Sequence, residues 1–355
     1  MHGSQHNCPV SGCSSQLSTG VAGDHNRPVI TLRRFTRQSL WWIWTRLGSL
    51  RWSVLGFALR LDKLLMGGLF VDVPLTHALC EVSLALITRR VDTADFRPSG
   101  SAVIIAPHLA IAAKHVIKDH WRAFTGEDLP TNGHQNGVFH LQALQIIHGT
   151  QSGALWDVTE LSCSGHTDVA FLYLSPGSET ARRYTHWRAP KLNFLAPAVG
   201  AEITAFGYRS SAIESVVGTT VTWRHAPTLS DGRVLEIHED RREDVNLTFP
   251  CFRTNARFDG GMSGGPVFDS GGVLRGLVCY SSTSPDDPVH DTYAVLLWPS
   301  LATPLRFRLD GTIVAPPYPA IELVRDGSIH ALEADRIIVG DADATGGRTV
   351  GFRYP

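Results

Sequence analysis

The chain has 355 residues, 43% of them hydrophobic, and a formal net charge of −1. This length allows roughly two domains, and the hydrophobic fraction is ordinary for a protein with a sizeable core. A nearly neutral chain argues against a nucleic-acid-binding surface over the whole molecule. We therefore expect no nucleic-acid partner.

The cysteine content and the N-terminal residues indicate a cellular compartment. Six cysteines in 355 residues are too few for a disulfide scaffold. The first 30 residues lack the charged and then apolar pattern of a cleavable secretion signal. No run reaches the roughly 18 uncharged apolar residues of a membrane span. These features predict free thiols and a cytoplasmic protein.

Residues 1–30 are rich in Ser, Gly, His, Asn and Gln, a composition typical of a disordered tail. His6, Cys8 and Cys13 lie in this segment, but no second pair of ligands follows at the spacing of a zinc site. We therefore predict no metal site, and no sequence motif indicates a cofactor.

Residues 31–77 form a basic, Trp-rich segment. Residues 1–66 hold eight Lys or Arg and two Asp, and four of the nine tryptophans lie between 41 and 52. Apolar residues alternate with Arg at helical spacing, which predicts an amphipathic helical extension. Such a helix can lie at a membrane surface, so peripheral membrane contact through 31–66 is one interpretation. The others are a helix packed on the following domain, a leader that does not fold, or a true start at Met66.

From Cys80 onward, short β-rich runs are separated by Gly, Pro and Ser. Many short strands with turn signals between them predict an all-β barrel or sandwich. The runs are 82–88, 102–105, 138–147, 168–174, 202–208, 215–223, 234–238 and 267–280. Residues 306–355 are too few for an independent domain, and we interpret them as a β-rich extension that packs on the preceding β-rich region.

One serine lies among four glycines, in the segment Gly260-Gly-Met-Ser263-Gly-Gly-Pro266. Glycine allows positive φ and a close approach of other chains, so a tight turn can expose the serine hydroxyl beside converging backbone N–H groups. That geometry suits a nucleophile beside an oxyanion hole. The alternative is an ordinary Gly-rich turn with an incidental serine.

A serine nucleophile needs a base, and the base needs a group that orients it. His115 follows an apolar run and two alanines, whereas His108 is placed in a turn and His120 on a solvated helical turn. Asp168 precedes the apolar run 169–174, where a charge is costly unless it is paired. An imidazole N–H is a suitable partner, although an Asp that caps a turn is the alternative.

The order His115, Asp168, Ser263, with separations of 53 and 95 residues, resembles the trypsin-like serine peptidases of the chymotrypsin superfamily. The resemblance covers about 78–305 and implies two packed six-stranded β-barrels, at about 78–187 and 194–305. It also implies an oxyanion hole formed by the N–H groups of Gly261 and Ser263.

The activity implied by this resemblance is that of a serine endopeptidase, which hydrolyses protein or peptide substrates through an acyl-enzyme. The alternative is a catalytically weak scaffold that acts as a protein-binding module. Met262 stands where animal members of the family carry an acid, so the sequence is more similar to bacterial or intracellular members. The residues expected to line the substrate pocket are Arg257, Phe258, Cys279, Tyr280 and Ser281. Arg257 would favour an acidic substrate side chain and Asp291 a basic one, so the specificity stays open.

Overall fold

The computed structural model describes residues 13–20, 29–36, 70–91, 96–130, 132–134, 139–147, 153–217, 220–282, 291–342 and 348–353. The first strands in the chain are β1 (Cys13–Gly20), β2 (Val29–Thr36) and β3 (Phe70–Asp72). They pair with one another or with the second barrel described below. No helix among the described residues is long and apolar enough to span a membrane.

The first barrel follows a short helix α1 (Leu79–Val82) and contains the longer helix α2 (Lys114–Thr125). Its strands are β4 (Ser83–Arg90), β5 (Phe96–Ala106), β6 (Leu109–Ala113), β7 (Asn132–His134), β8 (Phe139–Ile146), β9 (Gly153–Cys163) and β10 (Val169–Pro176). Six of them pair in the order β10-β6-β5-β4-β8-β9, and β9 pairs back with β10. All these pairings are antiparallel, and the last one closes the barrel.

The second barrel follows α3 (Glu179–Arg183) and the two-residue strand β11 (Leu192–Asn193). Its strands are β12 (Glu202–Val217), β13 (Thr220–His238), β14 (Cys251–Thr254), β15 (Pro266–Asp269), β16 (Leu274–Ser282) and β17 (Asp291–Leu296). They pair antiparallel in the order β13-β12-β15-β16-β17-β14, and β14 pairs back with β13. The fold is therefore all-β, with two closed six-stranded barrels, which confirms the predicted chymotrypsin-like class.

Both faces of the barrel strands are buried where the barrels meet. In β5, Ala102 and Ile104 belong to the interior of the first barrel, whereas Val103 and Ile105 belong to a core shared with the second barrel. This explains why the sequence there is continuously apolar rather than alternating.

The C-terminal residues pack on both barrels. They comprise a 3₁₀ helix (Trp298–Ala302), β18 (Pro304–Phe307), β19 (Ile313–Pro319), α4 (Ile321–Arg325), β20 (Ala331–Leu332), a second 3₁₀ helix (Ala334–Arg336), β21 (Ile337–Ala342) and β22 (Arg348–Phe352). The Phe307 ring lies 5.6 Å from the Tyr173 ring of the first barrel, and β20 pairs with β11 beside the second barrel. The barrel strands end at Leu296, so this extension begins before residue 306.

The N-terminal prediction differs from the structure. Strands occupy 13–20 and 29–36, where the sequence predicted a disordered tail and the beginning of a helix. Strand β3 and a turn occupy 70–77, within the predicted helical extension. Val29, Ile30 and Thr31 are β-branched, which favours a strand over a helix. Residues 37–69, which hold most of the predicted membrane-contact segment, lie outside the described residues.

Candidate active site

Strand pairing brings His115 and Asp168 together across 53 residues of sequence. Ala113, the last residue of β6, is the register partner of Val169, the first residue of β10. Lys114 and His115 therefore continue past the same end of this ladder at which Asp168 lies. The Lys114 N–H donates to the Asp168 carbonyl over 2.7 Å, which fixes the first turn of α2.

The Asp168 carboxylate binds His115 through both of its oxygens. Oδ2 lies 2.6 Å from His115 Nδ1, and Oδ1 accepts the His115 backbone N–H over 2.9 Å. The Asp168 side chain is only 4% exposed and the His115 side chain 35%. Because a carboxylate can only accept, Nδ1 carries the proton of a neutral His115 and Nε2 is the acceptor.

The pKa of His115 is raised above its ordinary value. Burial opposes the charged imidazole and is the largest influence. The charge and hydrogen bond of Asp168 and the charge of Asp119 together outweigh it. The structure thus selects Asp168 as the partner of His115, whereas Asp157 lies 3.1 Å from the Nε2 of His140.

Ser263 lies in the turn between β14 and β15. The turn is anchored on β16, because the Gly264 N–H donates to the Val278 carbonyl over 2.8 Å. Gly264 has a φ of +81°, and a Cβ there would collide with the Ser101 carbonyl oxygen and lie 2.8 Å from Ala113 N. Only glycine allows the turn to come this close to the strand that leads to His115.

A second glycine places Ser263 beside the start of α2. A Cβ at Gly100 would lie 2.8 Å from the Ser263 carbonyl oxygen and 2.9 Å from Val116 Cγ1. Val116 directly follows His115, so the serine turn and the histidine are neighbours. The Ser263 residue is half-buried. Its hydroxyl forms no hydrogen bond with His115 or with any other residue that the structure describes.

Two backbone N–H groups of this turn have no acceptor within the described part of the chain, those of Gly261 and Ser263. Met262 N–H and Gly265 N–H, by contrast, donate to carbonyls within the turn. The Gly260 carbonyl accepts the Ser210 N–H over 3.2 Å. Since a trans peptide directs its C=O and N–H to opposite sides, this bond turns the Gly261 N–H away from Ser210. Both amides expected at an oxyanion hole are therefore available as donors.

The five predicted pocket residues have different environments. Phe258 and Cys279 are buried, whereas Arg257, Tyr280 and Ser281 are half-buried. Ser281 Oγ donates to the Phe258 carbonyl over 3.0 Å, which joins β16 to the segment before the serine turn. The Phe258 ring lies in the core of the second barrel and is only 3% exposed, so the ring itself offers almost no surface to a substrate.

The two charges that made the predicted specificity ambiguous are both engaged. The Arg257 guanidinium lies over the Phe70 ring, 5.4 Å from its centre. Asp291 lies 3.4 Å from Arg253 and 4.0 Å from Arg242. Its charge is therefore compensated before any substrate binds.

Sequence reasoning missed Ser101, Tyr208 and Ser210, which contact the serine turn or support it. The Gly100-Ser101 pair at the start of an apolar run was the available signal, but its partners lie more than 100 residues away. Within the described residues, no cluster of three His, Cys, Asp or Glu side chains could hold a metal ion. The four cysteines whose side chains are described, Cys80, Cys163, Cys251 and Cys279, are buried free thiols.

The family model of the trypsin-like peptidase domain matches residues 100–277, which is half of the chain. No curated protein sequence matches. The MamO protease domain from Magnetospirillum magneticum superposes with a TM-score of 0.42 at 16% identity, covering 62% of this chain and 94% of that one. The HtrA-type protease AlgW, solved with a decapeptide, gives 0.41 at 15% identity and covers 61% of each chain. The active form of the Rv3671c protease from M. tuberculosis gives 0.41 at 16%, covering 63% and 79%.

Proposed function

Because the chain belongs to the family of trypsin-like peptidase domains, we propose that it is an active serine endopeptidase with Ser263 as nucleophile, His115 as base and Asp168 as the group that orients the base. One observation carries the proposal. A buried carboxylate binds both the Nδ1 and the backbone N–H of His115, beside a serine turn with two free amides. A carboxylate in that position sets the tautomer that leaves Nε2 able to accept a proton.

The chemistry follows from these positions. His115 Nε2 takes the proton of the Ser263 hydroxyl as Oγ attacks the substrate carbonyl carbon. The developing oxyanion accepts hydrogen bonds from the N–H groups of Gly261 and Ser263. His115 then gives its proton to the leaving amine, which departs as the C–N bond breaks. The same imidazole then takes a proton from a water molecule, whose oxygen attacks the acyl carbon. The bond between this carbon and Ser263 Oγ breaks, and the imidazolium returns the proton to Oγ.

The substrate class that we propose is a peptide or a protein. Tyr280 and Ser281 on β16 are half-buried, and Ser281 Oγ is hydrogen-bonded to the Phe258 carbonyl in the segment that leads to Ser263; we infer that the substrate binds along these residues. Asp291 is paired with Arg253 and Arg242, so it offers no free charge to a basic substrate side chain. We therefore propose a preference for uncharged side chains at the residue before the scissile bond.

A fluorophosphonate probe tests the nucleophile without a known substrate, because the Oγ–P bond forms as the P–F bond breaks. We expect the wild type to be labelled at Ser263 and Ser263→Ala not to be labelled. Ser270→Ala removes an exposed serine hydroxyl on a nearby turn and should leave labelling unchanged.

One observation favours the second candidate function, a protein-binding module with weak catalysis. The Ser263 hydroxyl is not hydrogen-bonded to His115 among the described residues. A folded wild type that fails to react with the probe across pH 6–9 would support this module and refute the peptidase.

A further inference from the structure

We propose that Ser101, on β5 of the first barrel, is a positioning residue that holds the Ser263 turn and its two free amides in place. This inference rests on the proposed peptidase function. It assigns a role to a residue that lies in neither the nucleophile segment nor the histidine segment of the sequence.

Ser101 binds the turn on both sides of the nucleophile. Its Oγ donates to the Gly261 carbonyl over 2.8 Å, and its backbone N–H donates to the Ser263 carbonyl over 2.8 Å. The residue is completely buried, so no water competes for these bonds. Ser101 thereby orients two peptide planes of the turn, the one between residues 261 and 262 and the one between residues 263 and 264.

The same hydroxyl also holds the strand behind the turn. Ser101 Oγ accepts the Tyr208 N–H over 2.9 Å. Two residues further on, the Ser210 N–H binds the Gly260 carbonyl and so orients the Gly261 N–H. Ser210 has a φ of +51°, a conformation that needs support from its surroundings in a residue other than glycine. Loss of the Ser101 hydroxyl would therefore loosen the turn from two directions.

The strand pairing of β5 connects Ser101 to the proposed base, His115. Ala102, the next residue on β5, is paired with Ala112 of β6, and Ala112 lies three residues before His115. Ser101 therefore ties the nucleophile turn of the second barrel to the strand that carries the histidine of the first. We infer that it sets the distance between Ser263 and His115, where a 1 Å error can cost about 100-fold in rate.

A merely structural serine would behave differently. Removing any buried hydroxyl leaves its hydrogen-bond partners unpaired and lowers the stability of the folded protein. A positioning residue should in addition lower the rate of the chemical step in molecules that remain folded. Ser300 supplies the matched control, because it is buried and its Oγ donates to the Leu297 carbonyl over 2.6 Å, in the 3₁₀ helix that follows the second barrel.

The experiment compares wild type, Ser101→Ala, Ser101→Thr and Ser300→Ala by urea unfolding and by the kinetics of fluorophosphonate labelling. The kinetics separate the maximal labelling rate from the half-saturating probe concentration. We expect Ser101→Ala to lower the maximal rate by about 100-fold with little change in half-saturation. Ser300→Ala should label like the wild type, and Ser101→Thr, which keeps the hydroxyl, should recover most of the rate.

A folded Ser101→Ala protein that labels within threefold of Ser300→Ala would overturn the positioning role while leaving the peptidase intact. If Ser101→Ala loses rate only where it is partly unfolded in urea, the role is also wrong. Absence of labelling in the folded wild type would instead refute the peptidase itself, and the positioning role would fall with it.

Discussion

Asp168→Asn is the most informative single substitution, because it replaces one carboxylate oxygen by an NH₂ group and leaves the shape of the site intact. The amide oxygen of the variant can still accept the His115 N–H, which Asp168 binds over 2.9 Å. The amide NH₂ would then face His115 Nδ1, where the carboxylate oxygen lay 2.6 Å away. An NH₂ group can only donate, so Nδ1 would become the acceptor and the proton would move to Nε2. A protonated Nε2 cannot take the proton of Ser263.

The expected loss of rate is about 10⁴-fold, the effect of the equivalent change in a serine peptidase with this constellation, or about 5 kcal/mol of transition-state stabilisation. The pH profile should also move. In the wild type the pKa of His115 is raised, so labelling should increase as the pH rises through a value above the ordinary 6.5. Without the charge and hydrogen bond of Asp168, burial is left as the main influence and lowers the pKa. The rising part of the profile should therefore shift to lower pH.

The assay is the fluorophosphonate labelling rate of wild type and variant between pH 5 and 9, with unfolding by urea measured in parallel. Asp157→Asn is the matched control, since Asp157 forms a second His–Asp contact in the first barrel, 3.1 Å from His140 Nε2. We expect it to label like the wild type. An Asp168→Asn protein that is folded and labels within tenfold of the wild type, or whose profile does not move, would refute the assignment of the acid.

Three further predictions concern stability and reactivity. Gly264→Ala should lower the urea midpoint and abolish labelling, because its Cβ would collide with the Ser101 carbonyl, whereas Gly327→Ala, at a φ of +79° with open space around it, should cost only about 1 kcal/mol. Arg188→Met should destabilise the protein by about 1–3 kcal/mol, because it leaves the 6% exposed Glu81 carboxylate without its cation at 2.9 Å. Adding Glu81→Gln should restore much of that loss in the double variant, and no recovery would show that the loss does not come from the unpaired Glu81 charge. The pKa of Cys279 is raised well above its ordinary value by burial and then by the charge of Asp168, so iodoacetamide should modify this thiol at pH 8 only after unfolding, as mass spectrometry can show.

Turn chemistry and apolar runs predicted much of this molecule. The glycines around Ser263, the apolar run that ends at His115 and the run that follows Asp168 each carry a local signal in their residue types. Local signals also separated the strands, although the run 267–280 proved to be two strands, β15 and β16, separated by a turn in which Gly272 has a φ of +73°. The prediction for 31–36 was wrong because the apolar spacing there indicated a helix, whereas strand β2 begins with three β-branched residues, Val29, Ile30 and Thr31.

Contacts between residues far apart in the chain could not be predicted from the sequence. Nothing in the residues around Ser101 indicates that its hydroxyl binds Gly261, 160 residues later. Asp291 was read as a free charge, although Arg253, far from it in sequence, lies beside it across the β14–β17 pairing.

Sequence alone thus determined the kind of fold and the identity of the candidate nucleophile, base and acid, because turn glycines and apolar runs act over a few neighbouring residues. Tertiary structure alone decided which side chains hold the serine turn and which charges are compensated. Those properties depend on strand register and on the contact between two barrels, which join residues far apart in the chain, such as Ser101 and Gly261.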